Sequence, residues 1–348
     1  MSAESMHYVG LDVHERRSSL HILDDHGKRV KALEVRGGWP RVMDEVTRSV
    51  PRPFAVCYEA SCGYGYLYER LAPLAREVAV AHPGQLRLIY RSKRKNDRVD
   101  AAKLAKLLYL DLVPRVHVPT ADVRAWRALI TYRHKLMDKR VGVKNQVRAL
   151  LRGLGVADVP AGKRLWARKG IAWLKALPLA DAADALRRDL SVGELDDVNA
   201  RIRRVDKELG RRAAAHPGVT LLRTIPGVGV RTAEAVVAWV DDVARFARNR
   251  QVGTYFGLVP CQDASAGANR LGHITRDGPP AVRKLLCEAA WQAVRRSPAL
   301  RASFERVMRG DPDRKKVALV ATAHRLARAM AAMLRTGEAW RETAATPG

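Results

Sequence analysis

Acidic residues, cysteines and aromatics are all scarce in this 348-residue chain. There are 36 Asp and Glu against 63 Lys and Arg, four cysteines, and 6% Phe, Trp and Tyr. The acid shortage leaves a net charge of +27. A compact chain with that excess repels itself unless a polyanion neutralises it. Nucleic acid is the expected partner, since every phosphate contact releases counterions. The basic residues run through the whole chain rather than one tail, which favours an enveloped nucleic acid over a ribosome or a membrane surface. Charge alone leaves DNA and RNA both open. Cys57, Cys62, Cys261 and Cys287 show no C-x-x-C spacing, and the ten histidines contain no H-x-x-x-H pair. That excludes the common zinc patterns and predicts buried free thiols in a reducing compartment. Long apolar runs are also missing. VALVATAHRLARAMAAML is broken by His324, Arg325 and Arg328, short of the ~20 apolar residues that span a bilayer. MSAESMHYVGLDVHE has no signal-peptide core and runs into Asp12 and His14. A cytoplasmic protein with no membrane partner is expected.

What is present reads first as α/β. The length exceeds the usual single domain, so two or three domains are expected, and 47% hydrophobic residues suffice for packed cores. HYVGLDV is a short apolar strand carrying Asp12, and SSLHILD and RVKALEV alternate as strands around a turn at Gly27 and Lys28. The three make an antiparallel meander. GGWPRVMDEVTRSV reads as a short helix, PFAVCYEA as a buried strand ending at Glu59, YGYLYERLAPLA as a helix and EVAVAHP as a strand. DRVDAAKLAKLLYL then has the apolar spacing of an amphipathic helix, with Val99, Leu104, Leu107 and Leu108.

Residues 1–120 are thus one α/β domain, and residues 121–215 change character. A long helix there carries Arg124, Arg127, Arg133, Lys135, Lys139, Arg140, Lys144 and Arg148. Further on, Leu195, Val198, Ile202, Val205 and Leu209 alternate steps of three and four. That spacing suits a coiled-coil seam or, equally, a helical hairpin packed on its own domain. Residues 216–340 read as mainly helical, with one irregular glycine-rich stretch, VPCQDASAGANRLGHITRDGPP, and residues 341–348 as a frayed tail.

Four acidic residues stand where a metal-dependent nuclease needs them. Asp12 and Glu59 each close an apolar strand, so side-by-side strands would bring both to one sheet edge. Asp97 and Asp100 are three apart at a helix start and share a face. Such carboxylates repel unless cations lie between them, and a pair of Mg²⁺ ions would neutralise the cluster and clamp a phosphate. Taken singly, Asp97 and Asp100 are also ordinary complements to a helix dipole, and Asp12 an ordinary strand-end residue. TIPGVGVRTAEAVV fits a helix-hairpin-helix in which Gly227 and Gly229 make the turn, backbone N–H groups hold a phosphate, and Arg223 and Arg231 flank it. The alternative is a plain connector between helices. Ser265 lies in the glycine-rich stretch before Arg270 and His273. A loop serine is usually only polar, but one activated by a base or metal can attack phosphorus.

GLDV, YEASCGYGYLYERL, KNDRVDAAKLA, TIPGVGVRTAEAV, YFGLVP, SAG, RLGHIT and the closing MAAMLRTGEAW, in that order, resemble the insertion sequence 110 family of DEDD transposases. The resemblance runs from about residue 7 to residue 340. It implies a RuvC-like, ribonuclease H-type N-terminal domain, a coiled coil used in subunit assembly, and a C-terminal transposase domain. It implies that Asp12, Glu59, Asp97 and Asp100 bind Mg²⁺ and that Ser265 forms a covalent phosphoserine link to cleaved DNA. It implies a homo-oligomer, dimer or tetramer, in which one subunit's serine completes another's acidic site. A non-coding bridge RNA pairing with donor and target DNA is the implied guide. The chain departs from the family where Ala266 precedes Gly267 and where GPPAVRKLL replaces the commoner glycine-asparagine start. Two rivals remain: a hydrolytic RuvC-like nuclease or junction resolvase with Ser265 a bystander, and a non-catalytic nucleic-acid scaffold.

Overall fold

The computed structural model describes residues 5–89, 97–156, 164–265 and 268–342. The side chains of Asp97, Ser265 and Arg270, and all of Ala266 and Gly267, lie outside what it describes. The chain divides into two compact units, residues 1–124 and 125–348.

The first unit is built on a mixed five-stranded sheet. Strands β1 (His7–Val13), β2 (Arg17–Leu23) and β3 (Arg29–Arg36) form the expected antiparallel meander. Its second turn is held by Asp24, whose Oδ1 accepts from the amides of His26 at 2.9 Å and Lys28 at 2.8 Å. Helix α1 (Trp39–Ser49) leads to β4 (Phe54–Glu59), and α2 (Tyr64–Leu71) to β5 (Glu77–Ala81). Both later strands run parallel on the other side of β1, giving the order β3-β2-β1-β4-β5. Helices α3 (Pro83–Ile89) and α4 (Asp97–Tyr109) follow.

The two faces of this sheet carry different residues because side chains alternate along a strand. Val9, Leu11, Leu20, Ile22, Val56, Tyr58 and Val80 pack with Val42 and Val46 of α1 and Leu67 and Leu71 of α2. The opposite face is made of small residues, Ala55, Cys57, Ala79 and Ala81, and meets Leu104, Leu107 and Leu108 of α4. Gly10 belongs to that face. A Cβ placed there would lie 1.9 Å from the Ala101 carbonyl oxygen and 2.4 Å from the Ala105 nitrogen. Only glycine allows the helix so near the strand.

The second unit is mainly helical. Most of α5 (Ala121–Gly153) and all of α7 (Ala182–Ala215) form a long helical pair, with α6 (Arg168–Ala176) packed at one end. Leu195, Val198, Ile202, Val205 and Leu209 are all buried. Ion pairs Arg133–Asp206 (2.6 Å) and Lys139–Glu194 (3.0 Å) fix an antiparallel course, since rising numbers on α5 meet falling ones on α7. The three-four seam is therefore filled by α5 of the same chain, the helical-hairpin alternative.

After α8 (Pro217–Leu222) and α9 (Val230–Val240) come α10 (Arg250–Tyr255), α11 (Pro280–Arg296), α12 (Pro298–Met308) and α13 (Lys315–Thr336). One core joins α5, α7 and these helices through Trp126, Ile130, Ile202, Leu209, Val236, Leu286 and Met330.

Three sequence expectations need correction. The glycine-rich stretch is no irregular loop but a hairpin of β6 (Pro260–Ser265) and β7 (Ala268–Ile274), in which Ser265 pairs with Ala268. Its small and polar residues lack the β-branched signal by which strands are read. The thiols are free, as expected, but only Cys57 is fully buried; Cys62 and Cys261 are exposed. Burial pushes the Cys57 thiol up to about 12. Last, Pro312–Thr336 is long and apolar enough by composition to cross a membrane. Its Ala318, Ala323, Leu326, Ala327, Met330 and Ala331 are instead buried in the core of the second unit.

Candidate functional site

The acidic positions lie toward one end of the sheet. Asp12 shares the α4 side of β1 with Tyr8 and Gly10, and Glu59 shares it on β4 with Ala55 and Cys57. The parallel register pairs Leu11 with Tyr58, so the next pair along is Asp12 beside Glu59. Neighbouring strands lie about 4.8 Å apart. Both carboxylates therefore rise from adjacent strand ends on one face.

Helix α4 supplies the other two positions. Tyr8 meets Tyr109 edge-on at 5.4 Å while Gly10 meets Ala101 and Ala105. The helix thus runs antiparallel to β1, and its first turn, holding Asp97 and Asp100, lies toward the Asp12 end. The positive end of the helix dipole favours acids there as well. Asp12 is mostly buried, with Oδ2 3.4 Å from His14 Nε2. Asp100 accepts from Lys103 Nζ at 2.9 Å. Among the described residues no three His, Cys, Asp or Glu side chains converge as a ready ligand shell.

Residues missed by sequence reasoning sit around this cluster. His14 and Lys103 hold two of the acids, and Ser19 lies across from Asp12 in the β1–β2 register with a buried, unpartnered hydroxyl. The strand alternation of RSSLHIL placed Ser19 on the Asp12 face and was the available signal.

The basic residues divide into two kinds. Arg124 binds the Pro119 carbonyl at 2.5 Å and the Glu69 carboxylate. Arg127 donates to the carbonyls of Ala238 (2.7 Å) and Trp239 (3.2 Å), closing the C-terminal end of α9. Arg231 lies 2.9 Å from the buried Glu234 and 3.6 Å from Asp206. Burial pushes the Glu234 carboxyl up to about 7 even though Arg231 and Arg133 pull it down. These three guanidiniums are ties within the fold. Arg223, by contrast, is exposed at the end of α8, and Gly229 opens α9 with free space around it and no side-chain cap. Gly227 makes the turn with φ +91°, so close to the α11 backbone that a Cβ placed there would lie 2.6 Å from Ala293 N. Lys144 and Arg148 lie over the Trp166 ring at 5.1 and 5.4 Å. Burial and the neighbouring Arg140 and Arg148 hold the Lys144 ammonium below its usual pKa.

Residues 9–155 match a family model described as a transposase of the DEDD insertion sequence 110 type, and residues 219–305 match the family described as "Transposase IS116/IS110/IS902 family". The chain belongs to the insertion sequence 110 transposase family. Asp12, Glu59, Asp97 and Asp100 fall within the first matched stretch, and Gly227, Gly229 and Ser265 within the second. Named transposases align with most of the chain. A Pseudomonas aeruginosa protein named "Probable family 20 transposase" is 28% identical over 345 residues, 98% of each chain. The Coxiella burnetii transposase for insertion sequence element IS1111A is 27% identical, over 83% of this chain and 78% of its own. The Yersinia enterocolitica transposase for insertion sequence element IS1328 is 25% identical, over 81% and 82%. This transposase is accordingly an enzyme of mobile-element DNA recombination.

Proposed function

We propose that the transposase cleaves and exchanges DNA strands through a phosphoserine link, at a site assembled from a divalent-metal centre and Ser265. Its first unit is then a RuvC-like, ribonuclease H-type domain. Supporting this is the sheet itself, an antiparallel meander followed by two parallel strands, with acids at the ends of β1 and β4. The observation that carries the reading is the antiparallel course of α4 over Gly10, which sets Asp97 and Asp100 at the end of the sheet where Asp12 and Glu59 stand side by side.

Those four acids are the residues that would hold Mg²⁺; its chemistry is to neutralise the carboxylates and polarise a phosphate. Oxygen-only ligands at a sheet edge fit a hard cation better than a soft one. His14 and Lys103 keep the acids paired until then, and unpaired Ser19 offers a hydroxyl next to Asp12.

Ser265 acts at the phosphorus. Its Oγ–P bond forms as one P–O bond of the DNA strand breaks, and the departing deoxyribose oxygen takes up a proton. A hydroxyl of a second strand then attacks the serine phosphodiester, restoring a DNA phosphodiester and the serine hydroxyl. One phosphodiester replaces another at each step, so no ATP is needed. The exposed Arg223, the amides that open α9 after Gly229, and Lys144 with Arg148 would hold phosphates.

In functional terms residues 1–120 form the catalytic domain, 121–215 the helical pair, and 216–340 the domain with the glycine turn and the serine hairpin. A bridge RNA pairing with donor and target DNA would choose the sites, which suits a chain with no evident major-groove reader. The enzyme would act as a homo-oligomer in the DNA-containing cytoplasm. With the α7 seam filled inside the chain, the exposed Leu186, Leu190 and Val141 of the helical pair are apolar residues that assembly would cover.

The test is a denaturing gel of protein incubated with element-end DNA and Mg²⁺. A covalent adduct that disappears in Ser265→Ala is expected. Cleavage persisting in Ser265→Ala with no adduct would mean a hydrolytic nuclease, and binding without any cleavage a scaffold.

A further inference from the structure

Helix α11 and the start of α13 flank a shallow, open groove of about 440 Å³, lined by Cys287, Glu288, Trp291, Lys315, Lys316 and Leu319. Its volume lies in the range, about 300–1,000 Å³, of small-ligand sites. The accessible lining is almost wholly apolar, yet cations frame it. Arg295 Cζ and Lys315 Nζ sit 5.5 and 5.1 Å from the Trp291 ring centroid. Phe304 braces the indole edge-on at 6.1 Å. Lys315 and Lys316 open α13, whose first turn contains no acid. Two ammoniums at the positive end of a helix are unfavourably placed, and neither is ion-paired among the described residues. An anion would relieve that repulsion. An aromatic platform with unpaired cations beside it is the combination that binds a single strand, the base stacking and the phosphate paired.

We propose that this groove takes an unstacked nucleotide of a single DNA strand, its base against Trp291 and Leu319 and its flanking phosphates at Lys315 and Lys316. A base entering the groove displaces the Lys315 ammonium from the ring, and a phosphate then receives it. A duplex keeps its bases stacked and cannot fill the groove. An acidic peptide could meet the lysines but would leave the indole without a stacking partner. The inference rests on the strand-exchange reading only in that exchange opens a duplex; it does not depend on the acidic cluster.

The test is fluorescence anisotropy on the full-length protein with a labelled oligothymidylate, an oligouridylate of equal length and a matched DNA duplex. Trp291→Leu, which keeps apolar bulk against Phe304, is expected to weaken oligothymidylate binding by about tenfold and duplex binding by less than about twofold. Lys315→Gln with Lys316→Gln should lower the slope of log affinity against log salt by about 1.4, two single-strand phosphates' worth. If Trp291→Leu lowers the melting temperature, Lys316→Glu on the surface gives the same comparison. Equal losses on duplex and single strand, no loss at all, or a loss confined to oligouridylate would each overturn the proposal. Anisotropy reports binding and not cleavage, so a failure at the acidic site reads separately.

Discussion

Gly10 and Ala101 lie so close that a single methyl group on Gly10 would reach within 1.9 Å of the Ala101 carbonyl oxygen. That contact sets how near α4 approaches the sheet and where its acidic first turn stands relative to Asp12. Gly10→Ala must push the helix away against backbone, not a movable side chain. A loss of about 1–3 kcal/mol is expected, read as a lower midpoint in urea, together with a fall in DNA cleavage. A wild-type midpoint would mean the contact is not the constraint described.

The buried Glu234 links stability to pH. Its carboxyl is held up near 7 by burial, above the usual carboxylate value. The folded state therefore binds the proton more tightly than the unfolded chain does. The stability this contributes is full below the unfolded value of about 4.3 and is lost as pH rises through about 7. Wild type should lose stability across that window, and Glu234→Gln should flatten the loss. Parallel pH profiles for the two proteins would count against it.

Arg127 and Arg223 should separate folding from binding. Arg127→Ala removes charge-assisted bonds to two carbonyls at the end of α9, costing about 1.5–3 kcal/mol. Arg223 is exposed, and Arg223→Ala should change stability by no more than about 0.5 kcal/mol. It should instead weaken DNA binding and lower the salt slope by about 1. The reverse assignment, Arg223→Ala unfolding and Arg127→Ala only binding less, would contradict the division of the basic residues.

Much of the first unit was legible because its strands announce themselves. HYVGLDV, SSLHILD and PFAVCYEA are apolar runs ending in acids, and their order forces Asp12 and Glu59 toward one edge once β1 and β4 pair. Gly10 was not legible as a contact, since the partner backbone is about ninety residues away in sequence. The fate of each arginine was hidden for a like reason. Arg127 and Arg223 look alike in a basic sequence, and only the fold decides which meets a carbonyl and which meets solvent. The three-four spacing of Leu195 to Leu209 correctly gave a buried seam, but spacing cannot name the partner, here α5 of the same chain. The β6–β7 hairpin escaped because Ser, Gly and Asn favour turns and Ala favours helix, preferences that cross-strand pairing within the hairpin overrode.

Leu186 and Leu190 are 59% and 65% exposed on α7. Glutamate at both positions should leave the melting temperature nearly unchanged and lower the molecular mass found by light scattering. An unaltered mass would place the subunit contact elsewhere.

DNA cleavage by Asp12→Ala is the most direct test of the acidic site. Measured with Mg²⁺ beside a binding titration on the same DNA, the variant should bind within about twofold of wild type yet cleave at least about a hundredfold more slowly, the scale on which metal ligands act. Cleavage at the wild-type rate would contradict the account, because no arrangement of Glu59, Asp97 and Asp100 then needs the carboxylate at the end of β1.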